Sequence, residues 1–176
     1  KIPELISQLF NKEKGDALVG SVLDLGCGTG LVGEKIRNNC ERLEGIDLSQ
    51  KMVELAVRKQ VYDKVVKADI AEYLASTELD FDCFIAADVF IYLGDLAEVF
   101  RQIKSKNKRK GMLFFSTEHN EKEGFFLETS GRFSHSKSYV ESLCVEFGYS
   151  ISSFSKTKLR KEKDTFLQGG LYILKF

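Results

Sequence analysis

The chain has 176 residues, of which 43% are hydrophobic, and this length fits one globular domain, residues 1–176, with a substantial core. Lys and Arg together number 26, as do Asp and Glu, and no apolar run reaches about 18 residues, so neither nucleic acid nor a membrane is indicated as a partner. Four widely spaced cysteines and only two histidines predict reduced thiols, a cytoplasmic location and no metal site.

The first predicted element is a short amphipathic helix with Pro3 in its first turn and an end near Gly15. We interpret this helix as a cover for the core, and the alternative is that it closes over a ligand. The chain begins at Lys1 rather than Met and reaches its glycine-rich loop early, which is compatible with a domain taken from a longer protein.

A short buried strand, a glycine turn and the start of a helix follow in Ser21–Gly33, which reads S-V-L-D-L-G-C-G-T-G-L-V-G. Gly26, Gly28 and Gly30 lack a Cβ atom, so the chain can turn sharply and bring backbone N–H groups against a ligand. The helix that begins after them aims a partly positive end at the same place. This arrangement predicts a nucleoside-bearing cofactor.

Two classes of cofactor fit this loop to different degrees. Gly28–Gly33 satisfies the dinucleotide pattern G-x-G-x-x-G, but Gly26 and Cys27 separate the pattern from the strand that should precede it directly. Asp24, inside the strand, would repel a pyrophosphate and attract an ammonium group. S-adenosylmethionine, whose methionine moiety carries an ammonium group, is therefore favoured, and a nicotinamide-dependent oxidoreductase is the weaker alternative.

The stretch Asp24–Gly30 resembles the first signature, D/E-x-G-x-G-x-G, of the class I S-adenosylmethionine-dependent methyltransferases and matches it at every defined position. Methyl transfer from S-adenosylmethionine is the expected activity, with a non-catalytic cofactor-binding interaction module as the alternative. Because the sulfonium is already an activated leaving group, such an enzyme needs to align and desolvate its reactants and needs no nucleophilic side chain.

The second predicted strand, Arg42–Asp47, ends on a carboxylate 17 residues after Gly30. Parallel α/β units place an acidic side chain at about this spacing beside the ribose, and a carboxylate suits the two O–H donors of a vicinal diol. The alternative is a helix cap, although Ser49 already supplies a cap for the next helix.

The third predicted strand, Val65–Ala68, is followed by Asp69, where the resemblance implies a contact with the adenine amino group. Alternatively, Asp69 caps the helix Ile70–Leu74. Together, the loop, the later acidic residues and the resemblance predict twelve cofactor-binding residues: Asp24, Gly26, Cys27, Gly28, Thr29, Gly30, Asp47, Leu48, Met52, Asp69, Ile70 and Ala87.

The catalytic candidates lie later in the chain. Ligands of open parallel sheets bind beyond the carboxyl ends of the strands, so Ala87, Asp88 and Tyr92, after the fourth predicted strand Phe81–Ala87, should face the methyl group and the acceptor. A solvated turn is the alternative role of Asp88. His135 is the third candidate, as a base with an ordinary pKa of about 6.5, while its serine neighbours also suit a helix start.

The acceptor is constrained by what the chain lacks. Its only proline is Pro3, so neither the Asn- or Asp-Pro-Pro-aromatic tetrad of amino-methyltransferases nor a Pro-Cys pair for attack on a pyrimidine is present. This argues against methylation of adenine N6 or cytosine C5. A small molecule or a protein is the expected acceptor, and the sequence predicts no oligomeric state.

The second half of the chain completes the fold. We predict a helix from Asp95, a fifth strand at Gly111–Thr117 and a binding loop or lid at Glu118–Ser134, whose aromatic rings could instead pack on the core. A capping box, Ser138-x-x-Glu141, begins the last helix. Two strands then form a closing antiparallel hairpin, Tyr149–Lys156 and Phe166–Phe176, joined by the charged stretch Lys158–Asp164.

The predicted fold class is α/β, with a doubly wound, seven-stranded, mostly parallel sheet and a C-terminal antiparallel hairpin, as in Rossmann-like methyltransferases. More narrowly, Ala87–Leu96 and Ser130–Ser136 are similar to the methyltransferase domains that follow tetratricopeptide repeats in some bacterial proteins. This chain contains no such repeats, and that resemblance implies no particular substrate.

Overall fold

The structure is a computed structural model that describes residues 2–162 and 165–176. The helices are α1 (Ile2–Lys14), α2 (Leu31–Ile36), α3 (Gln50–Arg58), α4 (Ile70–Ser76), α5 (Ala97–Lys106) and α6 (Lys137–Phe147), with 3-10 turns at Arg37–Asn39 and Phe90–Tyr92. The strands are β1 (Val19–Leu25), β2 (Cys40–Asp47), β3 (Lys64–Lys67), β4 (Cys83–Ala86), β5 (Met112–Asn120), β6 (Phe125–Leu127), β7 (Phe133–Ser136), β8 (Ser150–Glu162) and β9 (Thr165–Lys175).

A single sheet contains these strands. Its parallel part has the order β3-β2-β1-β4-β5, and β9 then pairs antiparallel with both β5 and β8. The strand order reverses between β1 and β4. These two strands are neighbours in the sheet, although β2 and β3 separate them in the sequence. A crevice forms at such a reversal, beyond the carboxyl ends of the strands, and it is where open α/β sheets bind ligands.

The sheet is covered by apolar side chains on both faces. Successive residues of a strand point to opposite faces, so the adjacent residues Phe114 and Phe115 of β5 belong to two different clusters. The Phe114 cluster includes α1 and α2 through Phe10 and Ile36, whereas the Phe115 cluster includes α4, α5 and α6. The doubly wound α/β prediction is therefore confirmed.

The segment Glu118–Ser134 is not the single long loop that we expected. β5 continues to Asn120, and the rest contains β6 and β7, so the described residues form nine strands rather than seven. We did not predict the continuation because residues 118–120 read Glu-His-Asn, yet Glu118 and His119 are buried. β7 pairs with the end of β5, beyond the part of β5 that pairs with β4.

The helix starts agree with the predictions except at α5, which begins at Ala97 rather than at Asp95, and at α6. The hydroxyl of Ser49 accepts a hydrogen bond from the Met52 N–H, as expected of a cap. In α6, by contrast, the N-cap is Ser136, whose hydroxyl accepts from the Tyr139 N–H at 3.0 Å. The Ser138 capping box is therefore wrong, because Ser138 already lies inside the helix. The C-terminal hairpin is confirmed as β8 and β9. The predicted connection Lys158–Asp164 is wrong in most of its length, because β8 continues to Glu162, and residues 163–164 lie outside the described residues.

Candidate cofactor-binding site

A cavity of about 530 Å³ lies beyond the carboxyl ends of β1, β2, β3 and β4. This volume is within the usual range for sites that hold small ligands. Eleven of the twelve predicted cofactor-binding residues line it: Asp24, Gly26, Cys27, Gly28, Thr29, Asp47, Leu48, Met52, Asp69, Ile70 and Ala87. Pro3 also lines it, so α1 contributes to the cavity as well as covering the core.

The three glycines of the loop have different roles. All have positive φ, between 54° and 81°, which favours glycine. A methyl group added at Gly28 would meet no atom within 4 Å, whereas one added at Gly26 would collide with Val89. Gly30 does not line the cavity; it is the left-handed N-cap of α2, and its backbone lies against the Tyr62 ring. Only Gly26 and Gly28 of these three therefore contribute to the cavity wall.

Asp47 ties the glycine loop to the end of β2. One carboxylate oxygen accepts the Gly28 N–H at 2.9 Å, and the other accepts the Ser49 N–H at 2.8 Å. Each carboxylate oxygen can accept a second hydrogen bond, so the side chain can still receive ligand hydroxyls. The ribose contact stays a prediction, and the structure adds a second role for Asp47 in holding the loop.

Asp24 is the most deeply buried polar residue of the cavity, with 1% of its surface exposed. The Tyr62 hydroxyl donates a hydrogen bond of 2.7 Å to one of its oxygens. Burial raises the pKa of Asp24 to about 7, the Tyr62 hydrogen bond opposes this rise, and the nearby charge of Asp47 adds to it. The carboxyl is therefore close to half-ionised at neutral pH.

Tyr62 is a site residue that the sequence analysis missed. It follows α3 and lies 38 positions from Asp24 in the sequence. Its ring occupies space left by two glycines, because a methyl group at Gly33 would collide with it and one at Gly45 would approach it to 3.1 Å. Burial raises the pKa of the Tyr62 phenol, so it remains a neutral donor to Asp24. Gly33 and Gly45 were the available signal, since glycines inside a helix and a strand mark a close approach.

The cavity is acidic. Four of its lining residues carry carboxyl groups: Asp24, Asp47, Asp69 and Asp88. Within the described ranges, no Lys, Arg or His lines it. Such a lining repels the two phosphates of a dinucleotide and attracts a cation. The sulfonium and ammonium groups of S-adenosylmethionine fit this charge distribution.

Asp69 also has a structural role. One of its oxygens accepts the N–H groups of Ala71 and Glu72 at 2.8 and 3.1 Å, so Asp69 caps α4, as the alternative interpretation expected. The cap does not exclude an adenine contact, because Asp69 and Ile70 both line the cavity.

Two of the three catalytic candidates reach the cavity. Asp88 lines it with a positive φ of 59°, and its N–H donates to the Ser116 hydroxyl at 2.9 Å. Tyr92, in the 3-10 turn after β4, also lines the cavity and has 61% of its surface exposed. Both residues can therefore reach a ligand in the cavity, and their contact with the acceptor stays a prediction.

His135 is not brought to the cavity. Its ring is fully buried, lies beside Phe125 and Tyr139, and has Nε2 2.8 Å from the Gly94 carbonyl oxygen. Since that oxygen can only accept, Nε2 carries the proton of the hydrogen bond. Burial lowers the pKa of His135, which keeps the ring neutral. This placement argues against the catalytic interpretation and in favour of a structural one.

Comparison with known proteins agrees with this geometry. Residues 23–115 match the sequence profile of the family described as "Methyltransferase domain". The chain is similar to a malonyl-[acyl-carrier protein] O-methyltransferase of Priestia megaterium, with 31% identity over 140 residues that cover 77% of this chain and 47% of the relative. A ubiquinone biosynthesis O-methyltransferase of Bordetella pertussis is 28% identical over 151 residues, which cover 82% of this chain and 60% of the relative.

The chain thus spans about half the length of the curated relatives that it matches. Its fold is similar to that of the N-methyltransferase NodS from Bradyrhizobium japonicum, solved in complex with S-adenosyl-L-homocysteine, with a TM-score of 0.76. That alignment has 19% identity and covers 98% of this chain and 85% of the other. The family profile covers more than half of the chain and includes the glycine loop, Asp47 and Tyr92. The chain therefore belongs to the class I S-adenosylmethionine-dependent methyltransferase family.

Proposed function

We propose that this domain binds S-adenosylmethionine in the acidic cavity and transfers its methyl group to a small-molecule acceptor on the Tyr92 side. The observation that carries the proposal is the buried Asp24 carboxyl beside the glycine loop, in a cavity with four carboxyl groups and no lining cation within the described residues. A dinucleotide would be repelled there.

The residues present can hold each part of the cofactor. Asp24 is suited to the ammonium group, Asp47 to the ribose hydroxyls, and Asp69 with Ile70 to the adenine. When bound, S-adenosylmethionine supplies a methyl group on an activated sulfonium. The chain then contributes alignment and the exclusion of water, with Asp88 and Tyr92 next to the acceptor.

A small-molecule acceptor is supported by the relatives, which include a ubiquinone biosynthesis enzyme. No helix within residues 2–162 and 165–176 has the length and apolarity needed to cross a bilayer. The cytoplasmic location is a further proposal, supported by four buried cysteines whose thiols are free.

Calorimetry tests the cofactor, with S-adenosylmethionine, S-adenosylhomocysteine and NADH titrated separately into the wild-type protein and Asp47→Ala. We expect the first two ligands to bind and NADH not to bind. In Asp47→Ala, the loss of hydrogen bonds to a charged acceptor should weaken S-adenosylmethionine binding by about 1–3 kcal/mol. Binding of NADH alone would contradict the proposal. Turnover is tested by incubating the protein with S-adenosylmethionine and a set of phenolic and carboxylic acceptors. If the protein binds the cofactor but forms no S-adenosylhomocysteine with any of them, the non-catalytic binding module is favoured.

A further inference from the structure

The hairpin of β6 and β7 packs against the chain segment that borders the acceptor side of the cavity. A methyl group at Gly94 would lie 2.8 Å from the Phe133 ring and 3.1 Å from the Phe125 ring, and His135 is hydrogen-bonded to the Gly94 carbonyl. Leu93, immediately before Gly94, lines the cavity. The hairpin is therefore held next to the mouth of the cavity.

Arg132, at the turn of this hairpin, carries a cation to that mouth. The centre of its guanidinium lies 5.9 Å from the centre of the Tyr92 ring, and its side chain is half-buried. Within the described residues, Arg132 forms no side-chain hydrogen bond or ion pair. Its N–H groups are therefore available to a ligand that accepts hydrogen bonds, and a carboxylate accepts two of them at once.

The acidic groups of the neighbouring segments have other partners. The Glu128 carboxylate accepts a hydrogen bond from the Ser134 hydroxyl. The Asp95 carboxylate accepts from the Tyr139 hydroxyl at 2.7 Å and from the Ala97 N–H at 2.9 Å. Asp88 also faces this side, as a lining residue of the cavity. Arg132 thus places a cation beside Tyr92, at the edge of a cavity whose lining is acidic.

Exposed apolar side chains lie near the guanidinium in the fold. Tyr92, whose ring it approaches, is 61% exposed, and Leu127, which pairs with Phe133 across the hairpin, is 65% exposed. An exposed aromatic face offers stacking to a planar ligand, and this contribution adds to the apolar area that binding buries. The mouth therefore combines a planar contact with a site for one anionic group.

We infer that the methyl acceptor is a small aromatic compound that bears a carboxylate, with its ring against Tyr92 and its carboxylate on Arg132. This inference rests on the proposed function, because it places the acceptor beside the bound cofactor. The cofactor itself also carries a carboxylate. The experiment must therefore distinguish binding of the acceptor carboxylate to Arg132 from binding of the cofactor carboxylate.

The test uses protein saturated with S-adenosylhomocysteine and a panel of aromatic carboxylates, each paired with its neutral carboxamide, screened by ligand-observed NMR. We expect carboxylates to bind in preference to their carboxamides. In Arg132→Gln, carboxylate affinity should fall about tenfold or more, the size of a charge-assisted bidentate contact. Lys122→Gln is the matched control, because the Lys122 ammonium lies 5.4 Å from the ring of Phe126 in β6. This variant should retain the preference.

Other results overturn the inference. Equal binding of carboxylates and carboxamides, or no binding of either, would exclude it, as would an unchanged preference in Arg132→Gln. If Arg132→Gln weakens S-adenosylhomocysteine but not 5′-methylthioadenosine, which lacks the carboxylate, the guanidinium serves the cofactor instead. Each of these results leaves the proposed function standing. If the wild-type protein fails to bind S-adenosylhomocysteine at all, the proposed function fails and this inference with it.

Discussion

At the scale of single residues, the ionisation of Asp24 connects cofactor binding to pH. A cationic ligand prefers the ionised carboxylate, and burial holds the pKa of Asp24 at about 7. We therefore expect the affinity for S-adenosylmethionine to rise from pH 5.5 to pH 7.5, with a change approaching tenfold per pH unit below the pKa. Calorimetry at several pH values measures this slope.

Two variants separate this effect from other titrations. Asp24→Asn should bind more weakly and lose the slope. Tyr62→Phe should keep the slope but move its midpoint to higher pH, because the Tyr62 hydrogen bond lowers the pKa of Asp24. A midpoint that does not move in Tyr62→Phe would show that another group controls binding.

The glycine at position 28 provides a second residue-scale prediction. Gly28 and Gly15 have similar positive φ values, 54° and 59°, and a methyl group at either would meet no protein atom within 4 Å. Alanine should therefore cost similar backbone strain at both positions, but only Gly28 lines the cavity. We expect Gly28→Ala to weaken S-adenosylmethionine at least tenfold, while Gly15→Ala leaves the affinity unchanged. Calorimetry measures both affinities. If Gly28→Ala bound S-adenosylmethionine as tightly as Gly15→Ala, the glycine loop would have a structural role only.

At the scale of elements, the β6–β7 hairpin and the segment Tyr92–Gly94 are held together by His135. His135→Ala would remove a buried ring from beside Phe125 and Tyr139 and leave the Gly94 carbonyl without its donor. We expect a loss of about 2–4 kcal/mol in the free energy of unfolding, measured with urea. Since His135 does not line the cavity, S-adenosylmethionine affinity should change by less than about 0.5 kcal/mol.

His135→Asn keeps a donor group and should recover part of this stability if its amide reaches Gly94. A variant that loses turnover while keeping full stability would restore the catalytic interpretation. We therefore expect His135 to affect the Tyr92 side of the cavity only through the hairpin that carries Arg132.

At the scale of the whole molecule, ionisation of the buried Asp24 lowers the stability of the unliganded protein. The folded pKa is about 7 and the unfolded value is 3.8, so the folded state binds more protons between these values. Stability from this group is complete below about pH 4 and is lost as pH rises through 7. His119 and His135 act in the opposite direction, because burial lowers their pKa values.

The contribution of Asp24 is isolated by comparison with Asp24→Asn, since both proteins contain the two histidines. We expect the stability of Asp24→Asn relative to wild type to increase between pH 4 and pH 8, by up to about 4 kcal/mol. Urea unfolding without ligand measures the difference at each pH. A difference that is constant with pH would mean that Asp24 has an ordinary pKa in the folded protein.

Most of the fold could be predicted from the sequence. The order of strands and helices, the glycine turn and the carboxylates at the ends of β1, β2 and β3 all depend on short-range patterns. Such patterns include the short apolar runs of buried strands, the positive φ that glycine permits, and the caps at Ser49 and Asp69. Eleven predicted cofactor residues line one cavity because parallel strands bring their carboxyl ends to one edge of the sheet.

What only the tertiary structure decided depends on contacts between distant positions. β5 runs through polar residues that are buried by β7 and β9, and Tyr62 reaches Asp24 from 38 residues away. His135 is turned to Gly94 and Arg132 to Tyr92, across 41 and 40 positions respectively. Local patterns carry no information on which side chain a folded neighbour will bury or pair. The sequence by itself thus determined the fold class and most of the residues that line the cavity, whereas packing between remote segments decided the contacts of Tyr62, His135 and Arg132.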